Sequence, residues 1–402
     1  MNLKRIFPFI LSFVILSVAV YFAGQNRSEV IKKNDDEKPD TSAVETDEEM
    51  RGVWVTYMTL DTEGEDDPEQ RIKDKTDRII EVMKSSDLNT MIVQVRPFCD
   101  ALYRSKVYPW SHIITGSQGE DPGFDPLQII CEKARENKIA VHAWVNPYRV
   151  KTADSPKELS DDNPYVLDPS IAKELGGAVY LDPSSEKARA LIVEGVREIV
   201  ENYAVDGVQF DDYFYPTADE SFDREAYEAY KSDNASPLSL SDWRKENVNT
   251  LIREVYDAVH TANENAVFGI SPQGNLKNND TLFADVVSWC EEEGYVDYLC
   301  PQIYFSLDNP ALTFEDGLFD WLNLKPHQNL RLYAGLACYK AGTDADEGTW
   351  LDNNDILKTE IEIIREKGLS GFMLYSFDSF EQEESKEELQ NVVSYLISSP
   401  KQ

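Results

Sequence analysis

DGVQFDDYFYP, residues 206–216, is the stretch around which the rest of the chain is organised: a short apolar strand runs directly into two adjacent carboxylates and an aromatic loop. Side chains of a strand alternate between two faces, so Gln209 and Asp211 are predicted to share one face. Proline cannot donate to a sheet ladder, and the residue before it is pushed out of helical geometry, so the strand has ended by Pro216. The stretch therefore predicts a buried strand whose carboxyl end carries Asp211 and Asp212.

The chemistry of this carboxylate pair follows from its position. Two carboxylates side by side at a strand end repel each other, and burial penalises the charged form further, so one pKa is expected to rise. A site obtains an acid and a base from one residue type in this way. Taken alone, the pair favours a simpler interpretation, in which the aspartates only cap the next turn, because Asp is common in loops. The surrounding sequence decides between the two.

Outward from this stretch, apolar strands alternate with helical segments along most of the chain. Asp67-Pro68 and Asp125-Pro126 each supply a helix N-cap followed by proline at the first helical position. The predicted strands are 51–57, 90–96, 139–146, 207–211, 267–271, 297–302, 332–337 and 371–376, with a long insertion at 147–183. Eight such units indicate an α/β chain folded as a (β/α)8 TIM barrel with enlarged βα loops. The competing doubly wound open sheet is disfavoured, because no glycine-rich phosphate turn follows the first strand.

Charge and composition narrow the class of partner. The formal net charge is −35 and the isoelectric point is near 4.4, which excludes an electrostatic nucleic-acid binder. The same charge repels anionic polymers and lipid surfaces. Aromatic residues make up 11% of the chain and cluster in predicted loops as well as strands, which is typical of saccharide binding. A polysaccharide substrate is therefore expected, with no nucleic-acid partner.

Cysteine and histidine usage predicts neither a disulfide framework nor a metal site. The five cysteines are scattered and lack any CxxC pair, so they are expected to be small buried hydrophobes. No second histidine stands at ligand spacing from His142. No cofactor is expected, and the sequence displays no Ser-His-Asp arrangement or nucleophile elbow.

The amino-terminal segment is interpreted as an export signal or membrane anchor. Lys4 and Arg5 precede an apolar run of 18 residues, 6–23, which is the lower limit for a spanning helix. Small residues at the usual cleavage spacing are lacking, so an uncleaved anchor is favoured over a removed signal peptide; in both cases the rest of the protein is exported. We expect three parts: a signal peptide or membrane anchor at 1–25, a disordered polar linker at 26–50 and the barrel at 51–402.

In such barrels the chemistry lies beyond the carboxyl ends of the strands, and polar and aromatic residues collect at those predicted ends. Converging rings and polar groups predict a saccharide cleft. The candidates, from the second strand to the eighth and excluding the aspartate pair, are Arg96, Asp100, Tyr103, Trp110, His142, Trp144, Asn146, Tyr148, Arg149, Tyr213, Tyr215, Gln273, Asn275, Gln302, Tyr304, Tyr339, Lys340, Tyr375 and Asp378. Structural roles stay open for five of them: His142 in the barrel wall, Trp144 in the barrel interior, Arg96 as an ion partner, and Tyr213 and Tyr215 packed under their loop.

Several longer motifs carry a family resemblance. They are RGVWV at 51–55, QVRPFCDALYRSKVYPWS at 94–111, VHAWVNPYR at 141–149, DGVQFDDYFYP at 206–216, ISPQGN at 270–275 and VDYLCPQIYF at 296–305. From about residue 51 to 380 the chain resembles the glycosyl-hydrolase-like 10 group of bacterial exported (β/α)8 enzymes; Cys99 stands where a small residue such as glycine is expected. The resemblance implies action on carbohydrate, with bacterial cell-wall glycan, peptide-free strands of N-acetylglucosamine and N-acetylmuramic acid, as the expected substrate.

Adjacent carboxylates also constrain the mechanism, because they cannot readily straddle an anomeric carbon as standard glycosidase pairs do. They can serve substrate-assisted hydrolysis, in which the 2-acetamido oxygen of the sugar is the nucleophile. The tandem resembles that of O-GlcNAc hydrolases, which implies Asp211 as the orienting carboxylate and Asp212 as the acid/base, with the reverse left open. Tyr304 or Tyr213 is expected to steady the acetamido group.

Two other functions remain open from the sequence. One is a retaining glycosidase with Asp211 as nucleophile and a distant acid, Asp378 or Asp100. The other is a non-catalytic protein that binds cell-wall glycan on the same scaffold. An amidase or deacetylase is disfavoured, because clustered His and Asp metal ligands are not evident.

Overall fold

A computed structural model describes residues 49–351 and 353–399. The predicted anchor or signal peptide, and nearly all of the predicted linker, lie outside the described residues. None of the helices in the described ranges combines the length and the apolarity that crossing a bilayer requires.

A closed parallel barrel forms the centre of the described chain and confirms the predicted fold class. Its strands are β1 Met50–Val55, β2 Thr90–Arg96, β3 Ala140–Val145, β4 Gly207–Phe210, β5 Val267–Ile270, β6 Tyr298–Leu299, β7 in two segments at Arg331–Leu332 and Ala334–Leu336, and β8 Gly371–Leu374. Consecutive strands pair in parallel from β1 to β6. The circle closes because β6 pairs with the first segment of β7, β8 pairs with the second, and β8 pairs with β1.

Helices follow the strands around the outside of the barrel. They are α1 Pro68–Ser85, α2 Pro126–Glu136, α3 Glu186–Asn202, α4 Leu240–Ala262, α5 Val286–Glu291, α6 Phe314–Leu322, α7 Ile356–Glu366 and α8 Lys386–Ser398. Both predicted Asp-Pro starts are confirmed: Asp67 accepts the Gln70 N–H at 3.0 Å and Asp125 accepts the Gln128 N–H at 3.1 Å. α7 begins five residues later than the sequence suggested, because Asp346–Leu351 forms a separate 3-10 segment.

The predicted insertion between β3 and α3 contains structure of its own that the sequence did not indicate. Three short strands, Arg149–Lys151, Ala172–Leu175 and Ala178–Leu181, form an antiparallel sheet beside the barrel. Other short elements decorate the loops, namely the helices Tyr57–Leu60, His112–Thr115, Pro164–Leu167 and Arg224–Asp233 and the 3-10 segments Pro169–Ile171, Leu276–Leu282, Cys338–Lys340 and Phe377–Glu381. These additions surround the carboxyl ends of the strands.

The alternation predicted for β4 is confirmed by its packing. Val208 and Phe210 belong to the large apolar core between strands and helices. Gln209 points into the barrel, where its Oε1 accepts the Trp54 indole N–H at 2.6 Å and its amide group reaches the Tyr298 hydroxyl at 3.2 Å. A buried amide is tolerated there because its polar atoms are paired. The same face of β4 continues to Asp211.

The barrel interior is filled by large side chains rather than left open. Trp54, Trp144, Tyr298, Tyr333 and Met373 pack together inside it, with Ile92 and Cys300. The Tyr298 ring fits only because β5 carries glycine beside it: a Cβ on Gly269 would lie 2.1 Å from the ring. All five cysteines are buried and free, as predicted for small hydrophobes. The barrel interior is therefore a packed core and not a channel.

Candidate active site

Asp211 and Asp212 follow the last residue of β4 and lie at the carboxyl end of the barrel. Only 4% of Asp211 and 6% of Asp212 is exposed. No group of three or more His, Cys, Asp or Glu side chains with metal-site geometry occurs in the part of the chain that the structure describes. The pair is thus a nearly buried diacid at the expected edge of the fold.

Donors from β3 and its following loop hold Asp211. Its Oδ2 accepts the Trp144 indole N–H at 3.2 Å and an N–H of the Asn146 amide. Among the described residues, its Oδ1 accepts one hydrogen bond, from the backbone N–H of Tyr213 at 3.3 Å. Oδ2 is therefore saturated, and Oδ1 is the oxygen with room for a proton or a substrate contact.

The Asn146 amide is oriented by two further donors. Its Oδ1 accepts the Gln94 amide N–H at 2.7 Å and a guanidinium N–H of Arg149 at 3.0 Å. With the oxygen so engaged, the NH2 group must face Asp211. Arg149 itself is fixed by a 2.6 Å bond to the Pro97 carbonyl. The Asn146 amide consequently lies between the positive charge of Arg149 and Asp211.

Asp212 is held from the opposite side of the mouth. Its Oδ1 accepts the Gln302 amide N–H at 2.9 Å, and its Oδ2 accepts an amide N–H of Gln273. Gln302 also donates to the Ser271 carbonyl at 3.0 Å, and Gln273 and Gln302 pair as a parallel bridge that prolongs β5 and β6. Both donors to Asp212 thus come from strand extensions rather than from mobile side chains on loops.

The environment raises both pKa values, as the sequence predicted for at least one. The pKa of Asp211 is raised to about 7, first by burial and then by the negative charge of Asp212, while the Arg149 guanidinium opposes the rise. Burial also raises the pKa of Asp212, while the Gln302 and Gln273 hydrogen bonds lower it. The two carboxyl groups titrate as a coupled pair that retains a proton close to neutral pH.

Three tyrosines at the ends of β6, β7 and β8 form a cluster across the mouth. The Tyr304 ring lies 5.9 Å from Tyr339 and 5.7 Å from Tyr375, and Tyr339 and Tyr375 are 5.9 Å apart. Tyr375 also contacts Trp54 at 5.9 Å and Trp144 at 6.5 Å. The cluster thus contacts Trp144, whose indole N–H donates to Asp211.

Two tyrosines of this region present open faces. Tyr213 is 60% exposed and Tyr339 is 43% exposed, which is unusual for rings of this size beside a buried diacid. The negative charges of Asp212 and Asp211 raise the pKa of Tyr213, after burial as the first cause, so its hydroxyl remains a donor at neutral pH. Such rings can cover the apolar face of a sugar.

Three predicted cleft residues lie in the core instead. Tyr103 is fully buried against Tyr203, with ring centroids 5.5 Å apart. Tyr148 is 2% exposed, and Tyr215 is 1% exposed between aromatic neighbours. The sequence pattern placed them correctly after strands, but the loops fold back so that their rings pack under the barrel rim. They support the site without facing it.

Arg96 and His142 take the structural roles that the sequence left open, with one difference. Arg96 is 1% exposed and donates to the carbonyl oxygens of Asn146 and Pro147, so it holds backbone that carries the Asp211 donor rather than an acidic partner. His142 lies in the barrel wall with its Nδ1 2.9 Å from the Tyr298 hydroxyl. Burial lowers the pKa of His142 to about 4, so the ring is neutral.

The remaining candidates lie around the rim. Asp378 accepts the Thr59 hydroxyl at 3.0 Å and borders a cavity of about 380 Å³ between the loop after β1, α1 and the segment after β8. Asp100 is fully buried and accepts from His112 and Gln118. Asn275 caps the 3-10 segment that begins at Leu276. Trp110 is half-buried next to Asp100, and Lys340 donates to the Tyr304 carbonyl at 2.7 Å.

Sequence reasoning missed two residues of the site, Gln94 and Trp54. Gln94 orients Asn146 and also accepts the Tyr57 N–H at 3.1 Å. The signal was present, because Gln94 is a polar residue inside the apolar run 91–95 of a fully buried strand. Trp54 lies on β1, a strand from which the sequence predicts no site residue, and its ring contacts Tyr375 at 5.9 Å.

Comparison with known proteins identifies the relatives of this chain. Residues 49–352 match the family described as Glycosyl hydrolase-like 10. Glycosyl hydrolase YngK of Bacillus subtilis (strain 168) is 34% identical over 345 residues, which cover 80% of this chain and 66% of that protein. Glycosyl hydrolase DigH of Escherichia coli (strain K12) is 32% identical over 402 residues, which cover 90% of this chain and 89% of that protein. The chain therefore spans about two thirds of the Bacillus relative and most of the Escherichia one.

Solved structures share the fold at low identity. The PgaB (BpsB) glycoside hydrolase domain from Bordetella bronchiseptica superposes with a TM-score of 0.56 at 13% identity, covering 85% of this chain and 98% of that one. Alpha-L-fucosidase isoenzyme 2 from Paenibacillus thiaminolyticus gives a TM-score of 0.54 at 13% identity, covering 86% of this chain and 49% of that one. At such identities the likeness concerns the barrel alone.

Proposed function

We propose that this chain, which belongs to the glycosyl hydrolase-like 10 family, is an exported glycoside hydrolase that cleaves an N-acetylated glycan with the acetamido oxygen of the substrate as the nucleophile. One observation carries the proposal: chain-adjacent carboxyl groups, Asp211 and Asp212, are nearly buried at the end of β4 and held by donors from three other strand ends. Neighbouring residues of one strand end approach a sugar from the same side, which suits acetamido participation and not a flanking pair.

Asp211 is the better general acid of the two. Its pKa of about 7 lets it carry a proton at neutral pH, and its Oδ1 has only one long hydrogen bond. Protonated on Oδ1, it can donate to the glycosidic oxygen of the leaving sugar and later take the proton of the attacking water. This is the reverse of the order that the resemblance to O-GlcNAc hydrolases implied, an alternative that the sequence left open.

Asp212 is then the carboxylate that orients the acetamido group. Each of its oxygens accepts one amide N–H, from Gln302 and Gln273, and such donors favour the charged form. An ionised Asp212 can accept the acetamido N–H and align the acetamido oxygen with the anomeric carbon. It can also stabilise the positive charge that develops on the acetamido group when its oxygen bonds to that carbon and closes a ring. Tyr213 lies close enough to interact electrostatically with both carboxylates, and Tyr304 lies close enough to interact with Asp212.

The substrate class we propose is bacterial cell-wall glycan, strands of alternating N-acetylmuramic acid and N-acetylglucosamine freed of peptide. Support comes from the need for a 2-acetamido group and from the exposed rings of Tyr213 and Tyr339 beside the carboxylates. The relatives are named only as glycosyl hydrolases, so they support glycosidic chemistry without a substrate. Export through the apolar residues 6–23 would bring the protein to this glycan.

The direct test is digestion of peptide-stripped cell-wall glycan by the full-length protein, with mass spectrometry of the products. The wild type is expected to shorten the strands, and Asp211→Asn and Asp212→Asn are each expected to slow cleavage by at least about 100-fold. If wild type and both variants leave the glycan intact while all three bind it, the protein is a glycan-binding module and not a hydrolase.

The two aspartates are distinguished by the leaving group. With p-nitrophenyl 2-acetamido glycosides the leaving group needs no protonation, so Asp211→Asn should retain far more activity on this substrate than on glycan, whereas Asp212→Asn should lose both. The opposite pattern would assign the acid to Asp212. A thiazoline inhibitor separates the retaining alternative, since potent inhibition requires a site shaped for the acetamido-derived ring and indifference favours an Asp211 nucleophile.

A further inference from the structure

Three loop residues form a hydrogen-bonded row that the proposed glycan reaction does not use. Nδ1 of His112 lies 3.0 Å from Oδ2 of Asp100, and Nε2 of the same ring lies 2.8 Å from Oγ of Ser155. These residues come from separate loops after β2 and β3. This arrangement is not evident in the sequence, because Asp100 and Ser155 are far apart in the chain. The order of carboxylate, imidazole and hydroxyl, and both distances, match a nucleophile with its base and orienting acid.

The hydrogen bonds define the direction of proton transfer in this row. Asp100 is fully buried, and its Oδ2 also accepts the Gln118 amide N–H at 3.0 Å. A carboxylate accepts hydrogen bonds, so in this pairing Nδ1 of His112 is the nitrogen that carries the proton. The lone pair of Nε2 then faces the hydroxyl of Ser155. This is the tautomer that a base needs in order to take the serine proton.

Exposure rises along the row in the order that acyl transfer requires. Asp100 is fully buried, His112 is 8% exposed, and Ser155 is half-buried. The backbone of Ser155 is fixed at both ends by Thr152, whose Oγ1 accepts the Ser155 N–H at 3.0 Å and whose N–H donates to the Ser155 carbonyl at 2.8 Å. The base and the orienting acid are thus shielded, while the hydroxyl is both positioned and reachable.

A series of contacts connects the row to the carboxylate pair. The Phe98 ring is 5.2 Å from the His112 ring, and the Arg149 guanidinium stands 4.9 Å over the same phenyl group. Arg149 in turn donates to Asn146, which holds Asp211. Three side chains, Phe98, Arg149 and Asn146, therefore link His112 to Asp211 at the same end of the barrel.

We propose that Ser155, His112 and Asp100 form a second catalytic centre, which hydrolyses carboxylic esters. Its natural substrate would be an acyl ester on a saccharide hydroxyl; this last clause rests on the proposed function, whereas the ester chemistry does not. Such a centre would remove an acyl group from the same polymer that the carboxylate pair cleaves.

The reaction balances with water as the only co-reactant. Oγ of Ser155 attacks the ester carbonyl while its proton passes to Nε2 of His112, and the ester C–O bond breaks as Nε2 returns that proton to the departing alcohol. Water then attacks the acyl-serine, its proton passes through Nε2 to Oγ, and the carboxylic acid leaves. Asp100 keeps the ring oriented and stabilises the imidazolium in both halves.

The test uses the full-length protein and a fluorophosphonate probe, followed by mass-spectrometric mapping of the labelled peptide. We expect labelling of Ser155, its loss in Ser155→Ala, and a decrease in the labelling rate of at least about 100-fold in Asp100→Asn and in His112→Gln. Hydrolysis of p-nitrophenyl acetate should fall in parallel. Ser160→Ala is the matched control, because Ser160 is a half-buried serine of the same loop that bonds Asp162 and not histidine.

A purely structural row would give a different result. If Ser155 in the folded wild type stays unlabelled, or if Ser155→Ala hydrolyses p-nitrophenyl acetate as fast as the wild type, the proposal is overturned. Ser155→Cys adds a measurement that loop packing alone would not affect, since a thiol paired with His112 should react with iodoacetamide far faster than an ordinary cysteine. Labelling needs no glycan, so it succeeds or fails independently of glycan cleavage by Asp211 and Asp212.

Discussion

Within the described part of the chain, two buried acidic pairs have raised pKa values, and they differ in almost everything else. Asp211 and Asp212 lie at the barrel mouth with amide and indole donors directed at their oxygens. Glu360 of α7 and Glu388 of α8 lie between two outer helices. Burial and the Glu388 charge raise the pKa of Glu360 well above its usual range, and burial raises that of Glu388 to about 7.

The difference lies in the partners. Both carboxyl oxygens of Glu360 lack a hydrogen-bond partner among the described residues, and Glu388 accepts the Leu357 backbone N–H at 2.5 Å. At the mouth, by contrast, the Tyr213 ring is 60% exposed. A raised pKa therefore does not identify a site by itself. Preorganised donors, and a surface on which a ligand can lie, separate the mouth pair from the helix pair.

The largest expected effect distinguishes the pairs by activity. Asp212→Asn should lower kcat/KM on cell-wall glycan by about 10³-fold, because it removes the charge that orients and stabilises the reacting acetamido group. Glu360→Gln, a matched acid-to-amide change in the helix pair, should leave kcat/KM within about twofold. Kinetics of both purified variants check this, and a large loss in Glu360→Gln would remove the distinction.

The second prediction distinguishes them by stability. The folded pKa of Glu388, about 7, lies above its ordinary value of 4.5, so the folded state binds the proton more tightly. The associated stability is complete below about pH 4.5 and is lost as pH rises through about 7. Glu388→Gln should therefore flatten the pH dependence of the unfolding free energy by about 1–3 kcal/mol across this window.

Urea titrations at pH 4.5, 6 and 8 measure this effect. The glutamine amide can still accept the Leu357 N–H, so the packing is preserved in the variant. Equal slopes for wild type and Glu388→Gln would mean that the carboxyl group is not the proton-binding group of this region.

The third prediction concerns the charge behind the mouth pair. Arg149 opposes the rise in the pKa of Asp211, so Arg149→Leu should raise that pKa and shift the alkaline limb of the pH–rate profile upward by about half to one pH unit. Lys151→Met removes the same charge two residues along the chain and should leave the limb in place. An unchanged pH–rate profile in Arg149→Leu would mean that the alkaline limb does not report the ionisation of Asp211.

The smallest effect concerns the aromatic surface. Tyr339→Ala should raise KM for glycan several-fold, about 1 kcal/mol of stacking, with kcat nearly unchanged. Phe319→Ala removes an exposed ring, 61% accessible, from α6 and serves as the control. Equal KM values for the two variants would mean that the mouth tyrosines do not contact the sugar.

Much of the fold was predictable because local chemistry determines it. The Asp67-Pro68 and Asp125-Pro126 starts are N-caps whose hydrogen bonds form within four residues, and the alternation around Gln209 is a property of any strand. Strand ends in a parallel barrel meet at one edge, so Asp211, Asn146 and Gln302 could be grouped before their contacts were known.

The paths of long loops were not predictable in the same way. Tyr215 follows the carboxylates directly in sequence, yet it folds into the core beside Arg244, because buried aromatic area outweighs the local tendency of a loop to stay exposed. The contact of Ser155 with His112 joins residues 43 apart in two loops, and no periodicity relates them. Their meeting depends on tertiary packing that only the structure provides.

The central claim, participation of the substrate's acetamido group under control of Asp211 and Asp212, is tested most directly with aryl 2-acetamido glycosides whose N-acetyl group carries zero, one, two or three fluorines. Fluorine withdraws electrons from the acetamido oxygen, so kcat/KM should fall with each added fluorine if that oxygen is the nucleophile. A series with constant kcat/KM would contradict the account and favour direct attack by an aspartate.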